Sequence, residues 1–138
     1  MPEVSINYLA VLVCGIIYMA VGALWYSPLL FGKIWTAAMG KTEQELKEMQ
    51  KGVWKTYFLS FISALVMAFV LAHIIDFARA DTAVEGLQTG LWIWLGFVIT
   101  TGLAAVIFEG RSKRLYFIYN GYMLVTFLIM GLVLALWS

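Results

Sequence analysis

Gly22-Ala23-Leu24-Trp25-Tyr26-Ser27-Pro28-Leu29-Leu30-Phe31-Gly32-Lys33-Ile34-Trp35 carries the chain out of an apolar run and into its first lysine. It holds two of the six tryptophans. Trp and Tyr at such a boundary suit a bilayer interface, where the ring lies among headgroups and the polar tip stays wet. Ser27-Pro28 marks the helix stop, because a residue before proline avoids the helical region. Upstream, residues 7–26 contain no Asp, Glu, Lys, Arg or His. Twenty residues of helix rise about 30 Å, the thickness of a hydrocarbon core. The stretch therefore reads as the exit of a membrane-spanning helix, and the rest of the chain has to be compatible with that.

The composition is compatible. Hydrophobic residues make up 63% of the 138 and charged residues 12%, against about 25% charged in a soluble domain. Mean hydropathy is +0.90. A single domain, residues 1–138, is expected at this length. The net charge of +1 offers no argument for nucleic acid. One cysteine, Cys14, cannot build a disulfide framework or a zinc site within one chain, and no cofactor is implied. The start Met1-Pro2-Glu3 lacks the positive region of a secretory leader, so the first apolar run is expected to be retained.

Beyond the proline, Phe31, Ile34, Trp35, Ala38 and Met39 fall at helical spacing, with Lys33 and Thr36 off the stripe. That pattern predicts a short amphipathic helix lying in the interface. Gly40 stops it. Thr42 and Glu45 form a T-x-x-E capping signature for a short polar helix, in which Glu43 and Lys47 are a favourable i,i+4 pair. Three more apolar runs follow, at 54–75, 86–108 and 115–137. The predicted fold class is therefore an all-α membrane protein with four transmembrane helices. To these the first cytoplasmic loop adds the interfacial helix and the short polar helix.

Small residues mark packing seams, since they let helix backbones approach closely. Gly15 and Gly22 share a face of the first span with Tyr18 and Trp25. Ser60, Ala64, Ala68 and Ala72 form a stripe on the second, either an intrachain contact or a subunit interface. Gly86 with Gly90, Gly96 with Thr100, and Gly131 with Ala135 are further small contacts. There are more seams than one four-helix bundle obviously uses, and a homo-oligomer is expected.

Lys and Arg counts orient the chain. Lys33, Lys41, Lys47, Lys51 and Lys55 follow the first span, and Arg111, Lys113 and Arg114 follow the third. Only Arg79 lies in the remaining loop, Asp76–Glu85, which is short and net acidic. Eight against one puts loops 27–55 and 109–114 in the cytoplasm and both termini outside.

That topology gathers Trp25, Tyr26, Lys33, Trp35, Glu109, Arg111, Tyr116 and Asn120 at the cytoplasmic interface. Glu109 and Arg111 can pair with each other, or with Lys33 and lipid phosphates. Asn120 lies more than a turn inside the fourth span, where its amide is expected to bond a neighbouring helix. The group reads either as a polar site at the mouth of the bundle or as an aromatic belt with basic anchors. At the other end, His73 and Asp76 stand one helical turn apart. They are too few for a metal site within one chain. No span has an ionisable residue near its middle, which argues against an ion-coupled pump. No H-E-x-x-H, G-x-S-x-G or Walker loop occurs, and no enzyme is expected.

Two stretches carry a family resemblance. One is Asn7-Tyr8-Leu9-Ala10-Val11 leading to Gly22–Lys33. The other runs from Trp94-Leu95-Gly96-Phe97 through Phe108-Glu109-Gly110-Arg111 to Ile118-Tyr119-Asn120-Gly121-Tyr122 and Met130-Gly131. Together they resemble the prokaryotic membrane-protein family catalogued as domain of unknown function 1761 (DUF1761). The resemblance implies a small four-helix bacterial or archaeal protein, hence a multi-pass cytoplasmic (inner) membrane location. It brings no activity with it.

The expectation from the sequence is thus a homo-oligomeric membrane protein that binds or passes a small solute or lipid through a polar cytoplasmic site. The alternatives are an accessory subunit docking a partner through loop 29–56, and a membrane enzyme using Glu109.

Overall fold

The computed structural model describes residues 3–137. The expectation for Met1-Pro2, and the ends of the 1–138 domain, lie outside the described residues. All regular structure among them is helical, and four helices are long and apolar enough to cross a membrane.

The first, α1 (Tyr8–Trp25), starts at Asn7, whose side chain accepts the Ala10 N–H at 3.1 Å. It ends at Trp25, with Tyr26 as its cap, just before the Ser27-Pro28 stop. Next come α2 (Gly32–Met39) and α3 (Glu43–Met49). Gly40 ends α2 at φ +64, in the left-handed region where a Cβ is costly. Thr42 caps α3 by accepting the Glu45 N–H. The second span, α4 (Val53–Phe77), runs two residues past its expected end.

The third span is continuous over Ala83–Glu109 but changes winding midway. It consists of α5 (Ala83–Ile93), a π-helical turn (Trp94–Ile99) and α6 (Thr100–Glu109). The Thr100 hydroxyl donates to Gly96 O at 2.7 Å, and that of Thr101 to Phe97 O at 2.6 Å. Both target carbonyls lie within the π turn, where such back-bonding competes with the ordinary ladder. The span begins earlier than the sequence suggested. Thr82 and Glu85 form a reciprocal capping box, so Glu85 belongs to the first helical turn rather than to an acidic loop. Gly110, at φ +67, closes α6, and Ser112 opens the fourth span, α7 (Lys113–Leu136).

α7 is the hub of the bundle. Half of its most apolar window is buried, against 22%, 28% and 0% for the other three spans. The core joins Ala10, Val11 and Cys14 of α1 to Ala68, Leu71 and Ile75 of α4 and to Met123, Phe127 and Met130 of α7.

Three crossings explain the small residues. At α1–α4, a Cβ on Gly15 would come within 2.7 Å of Leu65. Ala64, Ala68 and Ala72 are buried within the chain and Ser60 is half-buried, so this stripe packs internally. At α1–α7, Gly22 lies under the ring of Tyr122. At α5–α7 the backbones themselves meet: Gly86 faces Gly131, and Gly90 lies on the Phe127 carbonyl. No side chain fits between them.

Outside this core the surface is apolar. Phe58, Ile62, Val66, Trp92, Phe97 and Ile107 are exposed along their spans. In water such a surface would not persist, but in a bilayer it is the solvated face. The protein is a membrane protein.

Candidate functional site

At the end of the bundle where α1 exits, the candidate residues form two groups on opposite sides of α7. On one side the Trp25 indole N–H donates to Ile118 O at 2.9 Å, and its ring lies 4.7 Å from that of Phe31. Tyr26 meets Trp35 edge-on at 5.0 Å and Tyr122 at 5.7 Å. The Tyr122 hydroxyl donates to Tyr18 O at 2.6 Å. On the other side the Trp94 indole donates to Asn120 O at 2.9 Å, and the Tyr116 hydroxyl to Ile99 O. Successive helical residues turn by about 100°, so the carbonyls of Ile118 and Asn120 lie on opposite sides of α7. Two indoles thus clamp α7 between the first and third spans.

Asn120 departs from expectation. It is 3% exposed, but its amide donates to Tyr116 O of its own helix at 2.8 Å rather than to a neighbour. At Gly102 of α6 a Cβ would come within 3.2 Å of the Tyr116 ring, so this glycine gives room to Tyr116. Among the described residues Asn120 Oδ1 has no hydrogen-bond partner, nor has the hydroxyl of Thr126, which is fully buried.

The charged members lie outside this packing. Glu109 and Arg111 pair at 2.9 Å, and both are largely exposed. Lys33 is exposed and makes no ion pair among the described residues. The eight candidates are therefore not one pocket. Trp25, Tyr26, Trp35, Tyr116 and Asn120 are engaged in helix packing, while Lys33, Glu109 and Arg111 are a solvated rim.

A cleft of about 340 Å³ opens at the opposite end of the bundle. Asn7 draws the two chain ends together there by donating to Trp137 O at 3.0 Å. The floor is apolar, from Ala72, Ile75, Ala80 and Leu134, all buried. Asp76, Arg79 and Asp81 line it with exposed charge, and no ion pair holds any of the three among the described residues. Arg79 has φ +53, the conformation glycine usually supplies at a helix end. His73 is not part of the cleft. Its Nδ1 lies 2.8 Å from Phe69 O and its ring packs on Phe69, so His73 and Asp76 serve different surroundings. Among the described residues no three of His, Cys, Asp and Glu come together as metal ligands.

The family described as Protein of unknown function (DUF1761) matches residues 9–135. The chain belongs to this family. No curated protein and no solved structure matches it. In this DUF1761 protein the match spans α1 to the last turn of α7, and with it both indole clamps and most of the cleft. The cleft is not evident in the sequence because its lining comes from the segment before α1, the end of α4 with the loop after it, and the end of α7. The one signal for it is Arg79, the single basic residue at that end, beside two aspartates.

Proposed function

We propose that this DUF1761 protein binds a small solute or a lipid headgroup, is not an enzyme, and works as a homo-oligomer in a prokaryotic cytoplasmic membrane. The observation that carries the binding reading is the cleft between α1, α4 and α7, with its apolar floor and a rim bearing charges of both signs. Concave apolar sites with a few polar groups are where small molecules bind. The non-enzymatic reading draws support from Glu109, the one carboxylate proposed for chemistry, whose charge is exposed and paired with Arg111. The assembly reading draws support from the third span. Nothing in its most apolar window is buried within the chain, and Gly96 lies open.

With loops 27–55 and 109–114 in the cytoplasm, the cleft faces outward. Lys33, Glu109 and Arg111 then form a cytoplasmic rim suited to lipid phosphates, where Lys and Arg commonly anchor. A second reading, partner docking through loop 29–56, is favoured by α3, which buries no residue.

Native mass spectrometry of the protein released from nanodiscs tests the first reading, since it reports subunit number and retained mass together. A discrete oligomer carrying one small species per subunit is expected. A bare monomer would overturn both the assembly and the binding reading and favour an accessory subunit.

A further inference from the structure

We infer that the cleft takes a zwitterionic head in which an ammonium and a phosphate are joined by a short linker, as in phosphoethanolamine. This rests on reading the cleft as a binding site and goes on to its ligand class.

The charges define the class. Asp76 and Asp81 offer two carboxylates and Arg79 one guanidinium on the same cleft. A guanidinium is a planar fork of donors that matches phosphate, and two carboxylates together accept the three N–H bonds of a primary ammonium. A simple anion would meet two like charges and one opposite, and a simple cation would leave Arg79 without a counter-charge. A molecule carrying both signs satisfies all three side chains. The floor of Ala72, Ile75 and Leu134 suits the methylenes that join the two groups. Position agrees with chemistry. The cleft is built where α4 ends and the Trp137 ring stands, the depth at which aromatic side chains meet headgroups. The same chemistry is presented by a phospholipid headgroup or by a free phosphoamine.

The test uses the purified full-length protein. Calorimetric titration with O-phosphoethanolamine is run beside ethanolamine alone and inorganic phosphate alone. In parallel, lipid retention is measured by native mass spectrometry from nanodiscs of phosphatidylethanolamine or of phosphatidylglycerol. Arg79→Gly removes the guanidinium while supplying the residue its backbone conformation prefers, so this variant is expected to fold. Asp76→Asn removes one carboxylate from an exposed position.

Either substitution removes a charge-assisted hydrogen bond to the zwitterion and is expected to weaken its binding by about tenfold or more. Retention of phosphatidylethanolamine but not phosphatidylglycerol, abolished in both variants, supports the inference and identifies a headgroup. Binding of free O-phosphoethanolamine alone, with the same variant pattern, supports it and identifies a soluble ligand. If inorganic phosphate or ethanolamine binds as tightly as the joined molecule, and the variants abolish it, the zwitterion inference falls while the binding cleft stands. If no probe or lipid binds in a way that either variant changes, both fall.

Discussion

Trp25 and Trp94 each place one indole N–H on a carbonyl of α7. Hydrogen bonds between membrane helices contribute about 0.6 kcal/mol on average and up to about 1.7. Trp25→Phe and Trp94→Phe are each expected to lower stability within that range, read from denaturant unfolding in mixed micelles. Thr126 behaves in the opposite sense. Its hydroxyl is fully buried and unpartnered, and an orphaned polar group costs about 1–3 kcal/mol. Thr126→Val keeps the shape and is expected to raise stability by about 1 kcal/mol in the same assay. A loss instead would mean that the hydroxyl has a donor or acceptor of its own. None of these partners was legible in the sequence. Asn120 was expected to reach a neighbouring helix because of its depth, yet the free carbonyl lone pair one turn back, at Tyr116, was nearer.

At the scale of elements, the α5–α7 crossing has no slack. A methyl on Gly90 would meet the Phe127 carbonyl, whereas one on Gly96 would meet nothing within 4 Å. Gly90→Ala is expected to cost about 1–3 kcal/mol through overpacking. Gly96→Ala is expected to be neutral or to gain about 0.5–1 kcal/mol from lower backbone entropy. Thermal melts of the two variants side by side check the difference, and equal melting temperatures would refute the crossing. Helix ends were the most legible features here. Ser27-Pro28 and Gly40 stop their helices through local backbone sterics, which a sequence states outright. Thr82 and Glu85 repeat the spacing of Thr42 and Glu45, but the acidic company of Asp81 made Glu85 read as loop. The π turn was not legible. Thr100-Thr101, whose hydroxyls bond carbonyls within it, occurs equally well in an ordinary helix.

Across the whole molecule, the span with the lowest mean hydropathy, α7 at 1.9, is the most buried. This inverts the rule for soluble proteins. Lipid solvates the apolar faces, so the helix carrying Asn120, Thr126 and the tyrosines goes to the centre, where Tyr116 and Tyr122 bond carbonyls of the third and first spans. Hydropathy therefore revealed four spans but could not reveal which is central until this inversion is applied. The grouping of the candidates at the exit of α1 was legible only as shared depth, because depth does not say which side of α7 a residue occupies. Orientation is testable at this scale. Glu3→Cys, outside, is expected to react with a membrane-impermeant maleimide on intact cells, and Lys47→Cys only after permeabilisation. The reverse pattern would refute the lysine and arginine argument. Cys14 provides a quiet background, because it is fully buried and is expected to stay unlabelled while the protein is folded.

The two indole clamps also divide the protein's intrinsic fluorescence. Trp25 and Trp94 are half-buried with their N–H groups held by α7, whereas Trp54 and Trp92 are 81% and 66% exposed along the apolar surface. Brominated acyl chains quench indoles they can touch. They will therefore darken Trp54 and Trp92 first, and the emission that survives will come in part from the seam where the first and third spans grip the fourth.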